Sequence, residues 1–178
     1  YRPGPDSEVA AGAGRRQWVQ LRATAEQYFA LKGKSYAWGY FLELMASSQQ
    51  PFATYRSSLS RAPTFAPLPD ARTLFLPAYR SARYVAAGLR YSQPVRGPVE
   101  WRTEVYVHVN AQPLRPDEQQ AGHQSGLARP RLTASTGFVY QTPVGPLALH
   151  ARFYDDPAAR LGVYAHLGYL LFRGRTLE

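Results

Sequence analysis

The sequence contains no cysteine, which excludes disulfides, thiolate catalysis and cysteine-ligated zinc. Charged residues are scarce at 19%, below the roughly 25% usual for soluble domains. Acidic residues are scarcer still: 12 Asp and Glu against 21 Lys and Arg, for a formal charge of +9. No apolar run approaches the ~18 residues of a membrane-spanning helix. Initiator methionine and signal peptide are both absent, so the chain reads as a mature protein or a fragment. What is abundant is aromatic: 13 Tyr, 8 Phe and 3 Trp, within an apolar content of 45%. That composition excludes an ordinary disordered tail. The 15 Pro and 14 Gly suit a turn-rich fold.

Residues 1–16 carry Pro, Gly, Ala and charge without periodicity and read as a linker or loop. Alternation of period two begins after them and marks strands with one apolar and one polar face. In 18–26, Val19, Leu21, Ala23 and Ala25 alternate with Gln20, Arg22, Thr24 and Glu26. In 35–46, Tyr36, Trp38, Tyr40, Leu42 and Leu44 share a face. In 83–92, Val85, Ala87, Leu89 and Tyr91 oppose Tyr84, Gly88 and Arg90. The clearest strand sets Val99, Trp101, Thr103, Val105, Val107 and Val109 against Glu100, Arg102, Glu104, Tyr106 and His108. Strands at 132–141, 147–154 and 161–172 repeat the pattern. Between them lie a Pro-punctuated stretch at 48–82, with a further strand expected at 54–60, and a polar loop at 110–130. No helix of core length is expected.

Alternation by itself is also met by a soluble antiparallel sandwich or an enclosed ligand-binding barrel. Three details favour a transmembrane β-barrel. The strands run ~9–12 residues against the ~5–6 common in globular sheets, and match a tilted strand crossing a bilayer. The apolar faces carry Tyr or Trp near their ends, at Tyr36, Tyr91, Trp101, Tyr140 and Tyr169, with Trp38 on the same face as Tyr36, as interfacial girdles do. Connections alternate between short turns (94–98, 142–146) and long excursions (48–82, 110–130), as at the two rims of an outer-membrane barrel. The opposite faces then line a wet lumen, where Arg22, Glu26, Arg102, Glu104, His150, Arg152 and His166 stay hydrated or paired. The stretch Tyr164 to Phe172 is an amphipathic strand ending in an aromatic, of the kind that closes such barrels.

The final third, 136–172, contains strand, T-P-x-G-P-L, strand, turn, and a strand with L-G-Y-x-x-F. It resembles the C-terminal barrel of the bacterial surface antigen superfamily. Gln50-Pro51-Phe52, the stretch 73–92, the Glu104–Tyr106 strand and the closing residues 168–178 are similar to barrels fused to patatin-like phospholipases of the Bacteroidetes type. Within the shared turn, Pro143 and Pro146 lack donors and stop the ladder, and Gly145 tolerates positive φ. The resemblance covers roughly 17–178 and implies a sixteen-stranded barrel, of which this chain holds the C-terminal half, seven to eight strands. It implies an outer-membrane location, with outer-membrane lipid and either the missing N-terminal part of the barrel or a second subunit as partners. It also implies a long loop folded into the lumen. Tyr79-Arg80-Ser81 stands near the place of that loop's Arg-Gly-Phe-like element but lacks its Gly and Phe.

Catalytic machinery is not expected. A patatin hydrolase needs Ser in G-x-S-x-G and Asp in a D-G dipeptide, and neither occurs. The nearest match, Gly122-His123-Gln124-Ser125-Gly126, has its Ser one position late and reads as loop. His150 and His166 approach each other if neighbouring strands align, but a metal site needs three or four ligands, so they read as lumen polar residues. The 19 Arg are dispersed, without the compact basic face of a nucleic-acid binder. The expected function is a membrane module, without cofactor or metal, that anchors, or also exports or positions, a patatin-like phospholipase whose catalytic part lies outside this chain. The alternatives are a barrel for outer-membrane protein assembly or secretion, and a soluble all-β binding module.

Overall fold

In the computed structural model, the described residues are 17–30, 35–50, 54–116, 121–123, 126–143, 145–157 and 159–168. The alternating segments form strands β1 (Gln20–Ala30), β2 (Ala37–Ser47), β3 (Arg83–Arg96), β4 (Val99–Asn110), β7 (Arg131–Thr142), β8 (Gly145–Tyr154) and β9 (Leu161–Leu167). Together they make one seven-stranded sheet in the order β1-β2-β3-β4-β7-β8-β9. Every pairing is antiparallel. Each strand pairs with the next along the sheet, which is what hairpin-connected amphipathic strands do when successive turns preserve the pleat. The architecture is thus all-β and antiparallel. The sheet is open, with β1 and β9 as its edges.

Register keeps like faces together. Leu42 pairs with both Ala25 and Ala87, Val105 with both Leu89 and Ala134, and Leu149 with both Phe138 and Ala165. A one-residue slip at any pairing would place charge on the apolar face. One register shift occurs, between Pro94 and Arg96, where proline cannot donate to the ladder. The β3–β4 and β7–β8 reversals are two residues long, and they share a rim with the β1–β2 connection. The long connections 48–82 and 111–130 share the other rim with 155–160.

Two expectations need correction. Residues 54–60 do not form a strand: Tyr55–Arg61 is a helix, α1. Thr54 caps it, its hydroxyl accepting from the Ser57 N–H at 3.2 Å. A run of small hydroxyl residues, Ser57, Ser58 and Ser60, gives no period-two pattern to pair as a strand. The loop 110–130 is also not wholly irregular, since Leu114–Pro116 (β5) and Ala121–His123 (β6) pair as a small hairpin. The proposed linker 1–16, the aromatic Tyr169 and the end of the last expected strand lie outside the described residues.

The core lies on one side of the sheet. The connection 48–82 crosses that side as α1 and two 3-10 turns and lays Phe65, Leu68, Leu76 and Tyr79 against Phe41, Met45, Tyr84, Tyr106 and Tyr154. All of these side chains are buried.

Candidate functional site

The two faces of the sheet are inverted relative to a soluble protein. Over β2–β4 and the end of β8 the face carrying the polar and ionic side chains is the covered one, while β1 is exposed on both faces. The opposite face is apolar and bare: Leu89 is 63% exposed, Leu149 56% and Val163 70%. Along all seven strands, the apolar face carries only two charged residues, Arg83 at the long-loop rim and Arg96, brought there by the register shift at the short-turn rim. A contiguous uncovered apolar face of this kind marks an interaction surface.

Aromatic side chains on this bare face gather at the short-turn rim. Trp38 and Tyr91 are register partners, and Trp101 follows one strand further along. Phe29 packs on Trp38 at 4.7 Å, Tyr36 on Tyr91 at 5.9 Å, and Tyr91 on Trp101 at 5.9 Å between ring centroids. Phe138 and Tyr140 of β7 continue the row as partners of Trp101 and Val99. The Trp101 indole N–H donates to the Thr136 hydroxyl at 2.8 Å and the Tyr91 hydroxyl to the Gln93 side chain at 2.9 Å, so these two polar groups are satisfied within the face. Trp38, Tyr91, Trp101 and Tyr140 therefore lie in one row at one rim.

Arg22, Glu26, Arg102, Glu104, His150, Arg152 and His166 share the polar face of the sheet, several with partners the sequence did not reveal. Glu26 pairs with Arg90 of β3 at 2.9 Å across the intervening β2. Arg90 also donates to the Tyr28 hydroxyl at 2.9 Å and the Tyr106 hydroxyl at 2.7 Å, and Tyr106 donates to Glu104 at 2.6 Å. Arg22 lies 4.0 Å from Glu43, which accepts from the Tyr84 hydroxyl at 2.6 Å. Arg102 pairs with Glu100 at 2.9 Å. Arg152 forms an ion pair with Asp70, a residue of the 48–82 connection. His150, Tyr164 and His166 stack in a row, with centroids 5.2 Å apart for His150 and Tyr164 and 6.4 Å for the two histidines. The histidines thus approach, but among the described residues no group of three His, Cys, Asp or Glu can hold a metal.

Large inner-face side chains lie flat over glycines on the adjacent strand. Tyr106 covers its register partner Gly88, and His150 covers Gly137. A Cβ on Gly88 would fall 2.2 Å from the Tyr106 ring, and one on Gly137 would fall 2.2 Å from the Leu149 carbonyl oxygen. Tyr28 over Gly39 and Arg152 over Gly162 repeat the arrangement. Each pair covers the weak point that a strand glycine leaves in a sheet.

The connection 48–82 is tied down by polar as well as apolar contacts. His108 is sandwiched between Phe65 at 5.1 Å and Tyr79 at 5.3 Å. The Tyr79 hydroxyl donates to the Leu132 carbonyl at 2.9 Å and accepts from the Asp155 N–H at 3.1 Å. Burial raises the Tyr79 pKa above its ordinary value. The Asn110 amide donates to the Ala78 carbonyl at 2.9 Å, and the Tyr84 hydroxyl, its proton directed to Glu43, lies 3.2 Å from the Thr64 carbonyl. Arg80 reaches the carbonyls of Leu59 and Ser60 at 3.3 and 3.2 Å, at the end of α1 where cations are favoured. Gly122 and His123 of the near-match to a serine motif lie in or beside β6, not in a strand-to-helix elbow.

No family model, curated protein or solved structure matches this chain. Sequence reasoning missed Arg90, Glu43, Asp70 and Tyr106 as network members. Arg90 and Tyr106 were placed on the correct face, so a search for opposite charges two strands apart would have found the Arg90–Glu26 pair. Asp70 had no such signal, because its partner is set by how 48–82 folds over the sheet.

Proposed function

We propose that this chain is the membrane-spanning wall of an outer-membrane β-barrel. Its apolar face meets lipid, and its inner face is filled by the 48–82 connection. The observation that carries this reading is the bare, nearly charge-free face opposite a covered ionic one. A soluble sandwich buries its apolar face, so the soluble binding-module alternative predicts the reverse. Dimensions agree. Ten steps from Val99 to Val109 span ~34 Å along the strand. At a tilt of ~40° that is ~26 Å of height, against the ~25 Å apolar band of such barrels. The short-turn rim with its aromatic belt then faces the periplasm, and the long connections face outward.

Two open sheet edges are untenable in lipid, so the wall needs partners. The seven strands alternate in direction, so β1 and β9 run the same way. A second copy inserted in the same orientation would meet β1 with its β9 in parallel. Antiparallel closure instead needs an odd number of further strands, which favours the remainder of a larger barrel over a second identical subunit. The resemblance to barrels of patatin-like phospholipases supports anchoring of a lipid acyl hydrolase as the module's task, the chemistry residing outside these residues. The tightly packed inner layer over β2–β4 favours an anchor over an open secretion or assembly conduit.

The deciding experiment reconstitutes the intact protein in vesicles containing lipids brominated along the acyl chain. Trp38 and Trp101, on the outer face, should be quenched according to bromine depth, strongest near one interface. A monomer that stays soluble in plain buffer without detergent and shows no quenching would refute the membrane reading. Peptide mapping of the intact protein then separates the tasks: a G-x-S-x-G elbow with a D-G motif supports the lipase anchor, and periplasmic repeats support assembly or secretion.

A further inference from the structure

The apolar face is bounded differently at its two ends. At the short-turn rim the boundary is aromatic, with Arg96 the one charged side chain on the apolar face there. At the long-loop rim, among the described residues, every charged side chain in the exposed class is an arginine: Arg56 and Arg61 on α1, Arg83 at the start of β3, Arg129 before β7 and Arg160 before β9. Among the described residues, the acidic groups of this rim are withdrawn. Asp70 turns inward to Arg152 and Tyr154, Asp156 is buried, and Asp155 takes Arg129 at 3.5 Å, which leaves the Arg129 side chain 82% exposed. Arg83 stands on the outer face itself, level with Ala46 and directly above Val85. A guanidinium in that position sits where a headgroup meets the acyl region.

We infer that the long-loop rim binds the phosphate groups of phosphorylated lipid headgroups in the leaflet it faces, with Arg83, Arg129 and Arg160 as the principal donors. The inference rests on the membrane reading above. Arginine suits the task because its planar fork of N–H donors matches phosphate oxygens two at a time and stays charged. Spacing also favours lipid over one compact ligand. Arg83 lies at the start of β3, while Arg129 and Arg160 flank β7–β9 across β4, so the cations are spread along the rim as separate headgroups would be.

The test uses the intact protein in zwitterionic vesicles, titrated with lipid A carrying a fluorescent acyl chain and read by energy transfer from tryptophan. Dephosphorylated lipid A is the matched control. At low salt, the variant Arg83→Gln/Arg129→Gln/Arg160→Gln should lose affinity for the phosphorylated lipid on the order of a hundredfold. The corresponding triple lysine variant should retain most of it, which separates lost charge from a damaged rim. Arg96→Gln at the opposite rim should bind as the parent does. Equal binding of dephosphorylated lipid, or parental affinity in the triple Gln variant, overturns the inference. So does displacement of the lipid by an acidic peptide or oligonucleotide at lower concentration, which would assign the rim to an acidic macromolecule. Failure to enter zwitterionic vesicles at all would instead overturn the membrane reading itself.

Discussion

Replacing Gly88 with alanine puts a methyl group where the Tyr106 ring already lies, 2.2 Å from its Cδ1 and 2.7 Å from its Cε1. Tyr106 cannot yield freely. It is fully buried, meets Phe41 edge-on at 5.5 Å, and its hydroxyl joins Arg90 to Glu104. Overpacking of this kind costs about 1–3 kcal/mol. Swinging the ring also breaks hydrogen bonds to charged groups, worth about 1.5–3 kcal/mol each. A total loss of about 3–5 kcal/mol is expected. In a Tyr106→Ala background the collision disappears, and alanine should be neutral or favoured by about 0.5–1 kcal/mol over glycine in a strand. The coupling between the two sites should therefore be at least about 2 kcal/mol. It is measurable from urea unfolding in detergent followed by tryptophan fluorescence, with all four proteins of the cycle. Equal destabilisation by Gly88→Ala in both backgrounds would show that the ring contact is not the cause.

Gly137→Ala offers a contrast, because its Cβ would strike the Leu149 carbonyl oxygen at 2.2 Å and the His150 Cα at 2.6 Å. His150→Ala should therefore fail to rescue it in the same unfolding assay. Asp70→Asn should loosen the 48–82 connection by about 3 kcal/mol, since it leaves the partly buried Arg152 without its carboxylate. Faster proteolysis within 48–82, with the sheet intact, is the expected readout. Alkaline pH should weaken the same contact. Tyr79 ionises near pH ~10 when unfolded, and its folded pKa is higher, so its stabilisation is complete below that pH and is lost as pH rises through the folded value. Tyr79→Phe should make the decline of the unfolding midpoint above pH 10 shallower.

The sequence by itself determined the strands and their faces. Period-two alternation survives because each strand contributes every second residue to one surface, a property of the chain alone. Val99 through Asn110 and Leu132 through Gln141 could be oriented without knowing any neighbour. Segment 54–60 was misread because a short capped helix of serines carries no periodic signal, and its stability comes from packing of Leu59 and capping at Thr54. The inner-face partners were beyond reach for a related reason. Arg90 and Glu26 are 64 residues apart, and Arg152 and Asp70 lie on different layers. Only the tertiary structure decided that 48–82 folds over the ionic face and leaves the apolar face bare. Alternation shows that a sheet has two faces; which one is covered depends on where the longest connection packs.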